Sequence, residues 1–201
     1  MKFLVVGSTG LIGSYVVKAL AKHGQVIGVS RTTDIKVDVK DPSSIADMYK
    51  KVFEKHGKLD AVASCIGKVA FKPVAELTYD DYLAGFKDKA LGQVELVRSG
   101  INYLNDGGSF TLMTGVLARD PIPSGSVAAL ANGAIESFTL AAAIDMTRGI
   151  RINTVSPNVL VEATSYHPSF PGYHQVSAQS VADAYVKSIL GKQTGQIYKL
   201  D

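Results

Sequence analysis

Short apolar runs alternate with amphipathic segments along most of this 201-residue chain. The apolar, β-branched runs predict buried strands, and apolar positions spaced by three and four, followed by glycine, predict helices. Seven strands are predicted, at residues 2–6, 25–30, 35–39, 59–67, 108–115, 150–157 and 195–200. Helices are predicted at 12–24, 41–57, 78–104, 126–146 and 177–191. The alternation predicts a single α/β domain over residues 1–201, with a doubly wound parallel sheet and helices on both of its faces.

Composition narrows the class of protein. Hydrophobic residues make up 46% of the chain and charged residues 19%, and the net charge is +3. That charge is too small, and too evenly spread, to predict a nucleic-acid partner. The apolar run within the first ten residues is too short for a signal peptide, and we expect no membrane partner. The single cysteine, Cys65, excludes an internal disulfide and favours a cytoplasmic location.

A glycine turn follows the first predicted strand, in "VVGSTGLIGS". Gly7, Gly10 and Gly13 are spaced as in turns that admit a pyrophosphate and open a helix whose N-terminus attracts phosphate. An ordinary strand–helix turn is the alternative reading, but the position in the first βαβ unit favours dinucleotide binding. The sequence thus indicates a Rossmann-type sheet, with cofactor contacts predicted for Gly7, Ser8, Thr9, Gly10, Leu11, Ile12 and Gly13.

The end of the second predicted strand bears on the choice of dinucleotide. An acidic residue there favours NAD(H), but the sequence is "VSRTTD". Ser30 and Arg31 offer a hydroxyl and a guanidinium, which suit a 2′-phosphate. A solvated surface arginine is the alternative, and Asp34 would repel a phosphate placed beside it. We therefore expect NADP(H) to be favoured over NAD(H).

Several motifs, in order along the chain, resemble those of the short-chain dehydrogenase/reductase family. "GSTGLIG" stands at the family's glycine motif, and "VDVKDPSSI" is similar to its acidic segment, which implies that Asp38 contacts the adenine and Val39 packs beside it. "SCIG" stands at the family's cofactor loop after the fourth strand, which implies contacts from Cys65, Ile66 and Gly67. "GIRINTVSPNVL" is similar to the turn beside the nicotinamide, which implies Pro157 and Val159. The resemblance covers nearly the whole chain and implies an NAD(P)-dependent oxidoreductase.

The departures from the family pattern fall in the catalytic residues. The family uses a Tyr that transfers the proton and a Lys four residues later, on the same helical face. Here Ala128 stands at the Tyr position and Asn132 at the Lys position. Thr114, followed by Gly115, lies near the family's Ser, and Lys89 lies at or near its Asn.

Three sources of a replacement proton donor are visible. Lys89 projects into the space of the missing dyad, or else is an ordinary solvated helix lysine. The late loop supplies Tyr166, His167, Tyr173 and His174, or else is a proline-braced surface loop. Thr114 hydrogen-bonds a carbonyl, or else only packs at a strand end. The candidate catalytic residues are therefore Thr114, Asn132 and Lys89, and no spacing indicates a metal site.

Two classes of function remain open from the sequence. The first is an NADP(H)-binding oxidoreductase of a small carbonyl or alcohol substrate with a non-standard active site. The second is a catalytically silent dinucleotide-binding sensor or structural subunit. The small-residue helix "AALANGAIESFTLAAA" resembles the family's subunit-pairing helix, which implies a homodimer or homotetramer.

Overall fold

The computed structural model describes all 201 residues as one six-stranded parallel sheet with flanking helices. The strands are Lys2–Val6 (β1), Gln25–Val29 (β2), Leu59–Ser64 (β3), Leu104–Met113 (β4), Arg151–Pro157 (β5) and Ile197–Leu200 (β6). The helices are Leu11–Leu20 (α1), Pro42–His56 (α2), Tyr79–Gly85 (α3), Gly92–Gly100 (α4), Ser126–Asp145 (α5) and Ala178–Leu190 (α6). The predicted Rossmann-type α/β fold is confirmed.

Two apolar cores lie on the opposite faces of the sheet. On one face α2, α4 and α5 bury residues such as Leu96 and Ile135, and on the other α1 and α6 bury Val16 and Tyr185. Burial of an apolar side chain of this size contributes about 1.5–3 kcal/mol, so the two layers carry most of the favourable free energy of folding.

The sheet order is β2-β1-β3-β4-β5-β6, so the direction in which successive strands are added to the sheet reverses between β1 and β3. From β1 the chain goes outward to β2, and then returns to add β3 to β6 on the other side. In open α/β sheets ligands bind in the crevice at the carboxyl ends of the strands, where the order reverses. The glycine turn after β1 and the loop after β3 both lie at this point.

The strand predicted at residues 35–39 is wrong, and the sheet has six strands, not about seven. The segment makes one isolated bridge, between Ser30 and Lys36, and forms no ladder. Thr33 explains this, because its hydroxyl accepts the backbone N–H of Ser30 at 2.7 Å and contacts the Ile35 carbonyl at 2.8 Å. Side-chain hydrogen bonds of this kind compete with strand pairing. Val37 is still buried in the core, which accounts for the apolar pattern.

The helix predicted at 78–104 is found in several pieces. Thr78 caps α3 through a reciprocal pair of hydrogen bonds with Asp81. A π turn, Phe86–Leu91, joins α3 to α4, a short 3₁₀ turn follows α4, and β4 begins at Leu104 rather than at residue 108. Turns of the π type are rare in proteins, and those that occur are often found at functional sites.

Helix α5 is the one element that is long and apolar enough, by composition, to cross a membrane. Its mean hydropathy over the most apolar stretch is 1.5, and 39% of that stretch is buried inside the fold. The helix packs with Ala131 and Ile135 in the core. A core helix satisfies the same length and composition test, so the test assigns no membrane role.

Candidate active site

The glycine turn between β1 and α1 is built so that no side chain fits at two of its positions. Gly7 has φ +83°, and a Cβ there would lie 2.5 Å from the carbonyl oxygen of Cys65. A Cβ at Gly13 would lie 2.1 Å from the carbonyl oxygen of Gly7. The turn is therefore pressed against the end of β3 and against the first turn of α1. Gly10 precedes α1 as its N-cap, so the free N–H groups of the helix face the crevice.

A cavity of about 280 Å³, here called the glycine-turn cavity, lies beside this turn. Ten of the predicted cofactor residues line it: Gly7, Thr9, Gly10, Ser30, Arg31, Asp38, Val39, Cys65, Ile66 and Gly67. Sequence reasoning missed four polar residues that also line it, namely Thr32, Lys40, Lys68 and Asp88. Lys68 directly follows the "SCIG" loop, and its place next to a predicted cofactor loop could have identified it from the sequence.

Two cationic side chains line the glycine-turn cavity beyond the end of β2, together with the carboxylate of Asp38. Arg31 and Lys40 are both exposed side chains that line the cavity, and neither is in a salt bridge. Ser30 is buried, and its hydroxyl accepts the backbone N–H of Thr32 at 3.1 Å. Asp34 lines a separate depression on the outer side of β2. The carboxylate expected to repel a phosphate is thus not among the residues of the glycine-turn cavity.

A second cavity of about 350 Å³, here called the apolar cavity, adjoins the first. The two share the loop Cys65, Ile66, Gly67 and Lys68. The apolar cavity contains all three candidate catalytic residues and six of the predicted cofactor residues: Lys89, Thr114, Asn132, Ile12, Cys65, Ile66, Gly67, Pro157 and Val159. Most of its other lining residues are hydrophobic, and none is a carboxylate. The structure therefore brings most of the predicted cofactor residues and all three candidate catalytic residues to one continuous crevice.

Three predicted cofactor residues lie outside both cavities. Ser8 turns toward β2, where its hydroxyl contacts the Val29 carbonyl at 3.3 Å. Leu11 is exposed at the start of α1, and Gly13 is buried against the Gly7 carbonyl. Gly13 thus serves the shape of the turn, while the side chains of Ser8 and Leu11 do not face the crevice.

Lys89 lies within the π turn and points into the apolar cavity. Its stem crosses Gly67, where a Cβ would lie 2.7 Å from Lys89 Cγ and 2.9 Å from Cδ. The side chain is partly buried, and its ammonium makes no hydrogen bond or salt bridge within the chain. Burial lowers the pKa of Lys89 to about 8, although the neighbouring Asp88 carboxylate opposes this effect. Lys89 is thus not an ordinary solvated lysine, and it loses its proton at a lower pH than an exposed lysine does.

Thr114, at the end of β4, is buried and its hydroxyl proton is already used. Thr114 Oγ1 donates to Glu136 Oε1 at 3.0 Å, and Ser156 Oγ donates to the same oxygen at 2.9 Å. Arg119 in turn donates to Ser156 Oγ at 2.8 Å. A hydroxyl has one proton, so Thr114 is left as an acceptor toward the cavity. Glu136, which fixes this state, was not identified from the sequence.

Asn132, on α5, has one half of its amide unsatisfied. Its Nδ2 donates to the Gly115 carbonyl at 3.2 Å, whereas the buried Oδ1 has no hydrogen-bond partner. An unsatisfied buried acceptor costs about 1–3 kcal/mol, so a ligand that donates a proton to it would recover that cost. Ala128, one turn earlier, is buried among Val116, Leu117 and Ile122 and offers no polar atom.

The late loop supplies one of its four candidate residues to the cavity. Tyr166 lines the apolar cavity and packs on Phe71 with ring centroids 6.0 Å apart. His167 Nε2 is 2.9 Å from the Leu160 carbonyl oxygen, inside the loop itself. The Tyr173 hydroxyl donates to the Asp120 carbonyl at 3.2 Å, and His174 lines a different depression. His167 is therefore part of the loop's own bracing, and His174 is exposed away from the cavity.

Cys65 lies on the wall between the two cavities. Burial raises the pKa of the Cys65 thiol to about 12, and a contact with Tyr185 opposes this only in part. The thiol is therefore protonated at neutral pH and acts as a small packing group.

Comparison with known proteins gives consistent matches. The family model described as enoyl-(acyl carrier protein) reductase matches residues 10–194. A hydroxynaphthalene reductase-like protein of Metarhizium brunneum is 31% identical over 144 residues, which are 71% of this chain and 52% of that protein. The chain spans about half the length of the relatives of this kind that it matches.

Solved structures extend the match to the full chain. The protein lin1944 from Listeria innocua is 46% identical, with a TM-score of 0.96 and 100% of both chains covered. A small-chain dehydrogenase in complex with NADPH is 27% identical, with a TM-score of 0.86, over 100% of this chain and 96% of that one. The similarity thus includes the whole sheet and both cavities.

Proposed function

The chain belongs to the short-chain dehydrogenase/reductase family, and from this premise we propose that it is an NADP(H)-dependent oxidoreductase of small apolar carbonyl compounds or the corresponding alcohols. One observation carries the proposal: Lys89, with its lowered pKa, lines an apolar cavity that shares a wall with the glycine-turn cavity. A cavity of about 350 Å³ lies in the size range of small-molecule sites.

The residues of the crevice fit a dinucleotide. The glycine turn leaves room for a pyrophosphate against the N-terminus of α1, and the unpartnered Asn132 Oδ1 awaits a hydroxyl or amide donor. Arg31 and Lys40 supply positive charge for a 2′-phosphate, which supports NADP(H) over NAD(H). The NADPH bound by the small-chain dehydrogenase supports the same choice. When bound, the nicotinamide gives a hydride to the substrate carbon or takes one from it.

Lys89 moves the proton. In the direction of reduction, the Lys89 ammonium donates a proton to the carbonyl oxygen as the carbonyl carbon becomes an alcohol carbon, and water restores the ammonium. In the direction of oxidation, the neutral amine accepts the hydroxyl proton. A pKa of about 8 leaves both protonation states accessible near neutral pH, which is the condition for efficient general acid–base catalysis.

Thr114 and Asn132 orient the ligands and do not transfer the proton. Thr114 Oγ1 donates to Glu136, so it accepts a hydrogen bond from the cavity side. Asn132 is held by its bond to the Gly115 carbonyl, so its Oδ1 is fixed in place as an acceptor. The two acceptors favour a ligand with hydroxyl groups beside the reacting centre.

The substrate class follows from the walls of the apolar cavity. Phe71, Tyr166 and Phe170 bring three aromatic rings to it, and no carboxylate lines it. Such a lining favours a flat apolar carbonyl compound. The name of the hydroxynaphthalene reductase-like relative is consistent with an aromatic substrate.

We also propose that the protein assembles as a homodimer or homotetramer through α5. Leu130, Leu140 and Ile144 are exposed on this helix, and Ile144 is 86% exposed. An apolar helix face of this kind is typical of a subunit interface.

The test is a titration of the purified protein with NADPH and NADH, followed by turnover assays with a panel of aromatic and aliphatic ketones and quinones. Lys89→Met is compared with Lys87→Met, which removes an exposed lysine from the same π turn. We expect all three proteins to bind NADPH, and Lys89→Met alone to lose about 10²–10⁴-fold in turnover. Turnover by Lys89→Met within tenfold of wild type would refute the proton donor, and NADPH binding with no turnover by any protein would favour a silent sensor.

A further inference from the structure

Gln93 is a fully buried polar residue in the first turn of α4, and neither the resemblance nor the comparisons assigns it a role. Its Nε2 donates to the Lys89 carbonyl at 3.0 Å and to the Met113 carbonyl at 2.8 Å. The Met113 backbone N–H donates to Gln93 Oε1 at 2.8 Å. One side chain thus ties the backbone of Lys89 to the last residue of β4, which directly precedes Thr114.

The π turn makes this tie possible. The N–H of Gly92 reaches the Lys87 carbonyl, five residues earlier, so the turn holds one residue more than an α-helical turn. One added residue rotates the side chains on its two sides by about 100° relative to each other. The rotation lets Lys89 face the apolar cavity while Gln93 faces β4. The hydrogen bond from Gln93 to the Lys89 carbonyl therefore stabilises the π turn in this conformation.

The stem of Lys89 is held from the opposite side. Its Cγ and Cδ lie on the backbone of Gly67, which leaves the side chain in a slot between the loop after β3 and the π turn. The charged groups around this slot are Asp88 on the same turn, Lys68 on the loop, and Glu136, which reaches Thr114. Asp88 Oδ1 accepts the backbone N–H of Lys68 at 2.8 Å, so the loop and the turn are also bonded to each other.

We propose that Gln93 is a positioning residue, which fixes the π turn against β4 and thereby holds the Lys89 side chain in the apolar cavity beside Thr114. The placement of Lys89 is independent of the reaction, whereas its consequence for catalysis rests on the proposed function above. A Lys89 that is released from the slot would carry its ammonium to water, and its pKa would return toward the ordinary lysine value of 10.5.

The test measures the titration of the Lys89 side chain directly. Protein with ¹³C-labelled lysine side chains is titrated by NMR, and the Lys89 resonance is identified by its absence from Lys89→Met. Gln93→Met removes all three hydrogen bonds at similar volume, and Gln179→Met, on the exposed side of α6, is the control. We expect the titration of Lys89 to move upward by one pH unit or more in Gln93→Met and to stay in place in the control. A second variant, Gln93→Asn, keeps a neutral amide but is one methylene shorter, so it weakens the tie between Lys89 and Met113 without adding a charge near Lys89. It decides the matter if Gln93→Met does not fold.

The outcomes separate the two proposals. An unchanged Lys89 titration in a folded Gln93 variant overturns the positioning role. A shifted titration together with an equal shift in the pH profile of turnover supports both proposals. A shifted titration with no change in that profile supports the positioning role and overturns the role of Lys89 in catalysis.

Discussion

Replacement of Lys89 by Met is expected to make the protein more stable while it lowers turnover. Methionine keeps the length of the stem over Gly67 and removes the ammonium. Burial lowers the pKa of Lys89 from 10.5 to about 8, which corresponds to a cost of about 3 kcal/mol for holding the charge inside the fold. This value is an upper bound, because the side chain is only partly buried and the ammonium is hydrated from the cavity.

The dependence on pH identifies this cost. Below pH 8 the folded and the unfolded chains both carry the proton, so the wild type bears the full penalty. Between pH 8 and 10.5 the folded chain releases the proton before the unfolded chain does, so the stability of the wild type rises relative to the variant. Above pH 10.5 the amine is neutral in both states, and the penalty is gone. The gain from Lys89→Met is therefore largest at pH 7 and fades as the pH rises.

The assay is urea unfolding of wild type, Lys89→Met and the control Lys87→Met at several pH values from 6.5 to 10.5. Other groups titrate in this range, but they are common to all three proteins and cancel in the difference. We expect Lys89→Met to exceed the wild type by up to about 3 kcal/mol at pH 7, with the difference shrinking above pH 8. A difference that stays constant with pH would refute the claim that Lys89 carries a buried charge.

Three further predictions concern the cofactor, the assembly and the glycine turn. Arg31→Ala should weaken NADPH binding by about 10–100-fold, the value of one charge-assisted hydrogen bond, and leave NADH unchanged; equal loss for both cofactors in a binding titration would contradict the 2′-phosphate assignment. Ile144→Glu should convert the oligomer to a monomer, since it places a charge on the exposed apolar face of α5, and light scattering at micromolar concentration would show no change if the interface lies elsewhere. Gly13→Ala should cost about 1–3 kcal/mol and abolish NADPH binding, because its Cβ would meet the Gly7 carbonyl oxygen at 2.1 Å. Gly133→Ala, which has open space around it, is the matched control and should bind NADPH as the wild type does, so loss in both would point away from the turn.

The fold was accessible from the sequence because its signals are local. The apolar runs of β1 and β3 predict burial, and Gly57 and Gly191 predict the ends of α2 and α6; each signal lies within a few residues of sequence. The strand expected at residues 35–39 failed for a reason that is also local but is not visible in hydropathy. Thr33 uses its hydroxyl to close a turn, and the apolar side chain of Val37 reaches the core without a ladder.

The site was accessible only in part, because its chemistry depends on contacts between distant segments. The glycine motif predicted the first cavity, since its residues are neighbours in sequence. The sequence could name Lys89 as a candidate, but its burial depends on Gly67, and its backbone depends on a glutamine that bonds to β4. In the same way, Thr114 reads as a donor until Glu136, 22 residues later, takes its proton. Such pairings have no periodicity to reveal them.

The missing seventh strand has a consequence for how the protein behaves at high concentration. Because residues 35–39 do not extend the sheet, β2 is an edge strand, and such an edge invites pairing with the backbone of another chain. Only five residues of β2 are in strand conformation, and the turn at Thr33 crosses its carboxyl end. Asp34, Lys55 and His56 line the depression beside it, so an incoming strand would have to strip water from charged groups. The shortness of β2, the turn across its end and the charged groups beside it therefore disfavour self-association through the open edge.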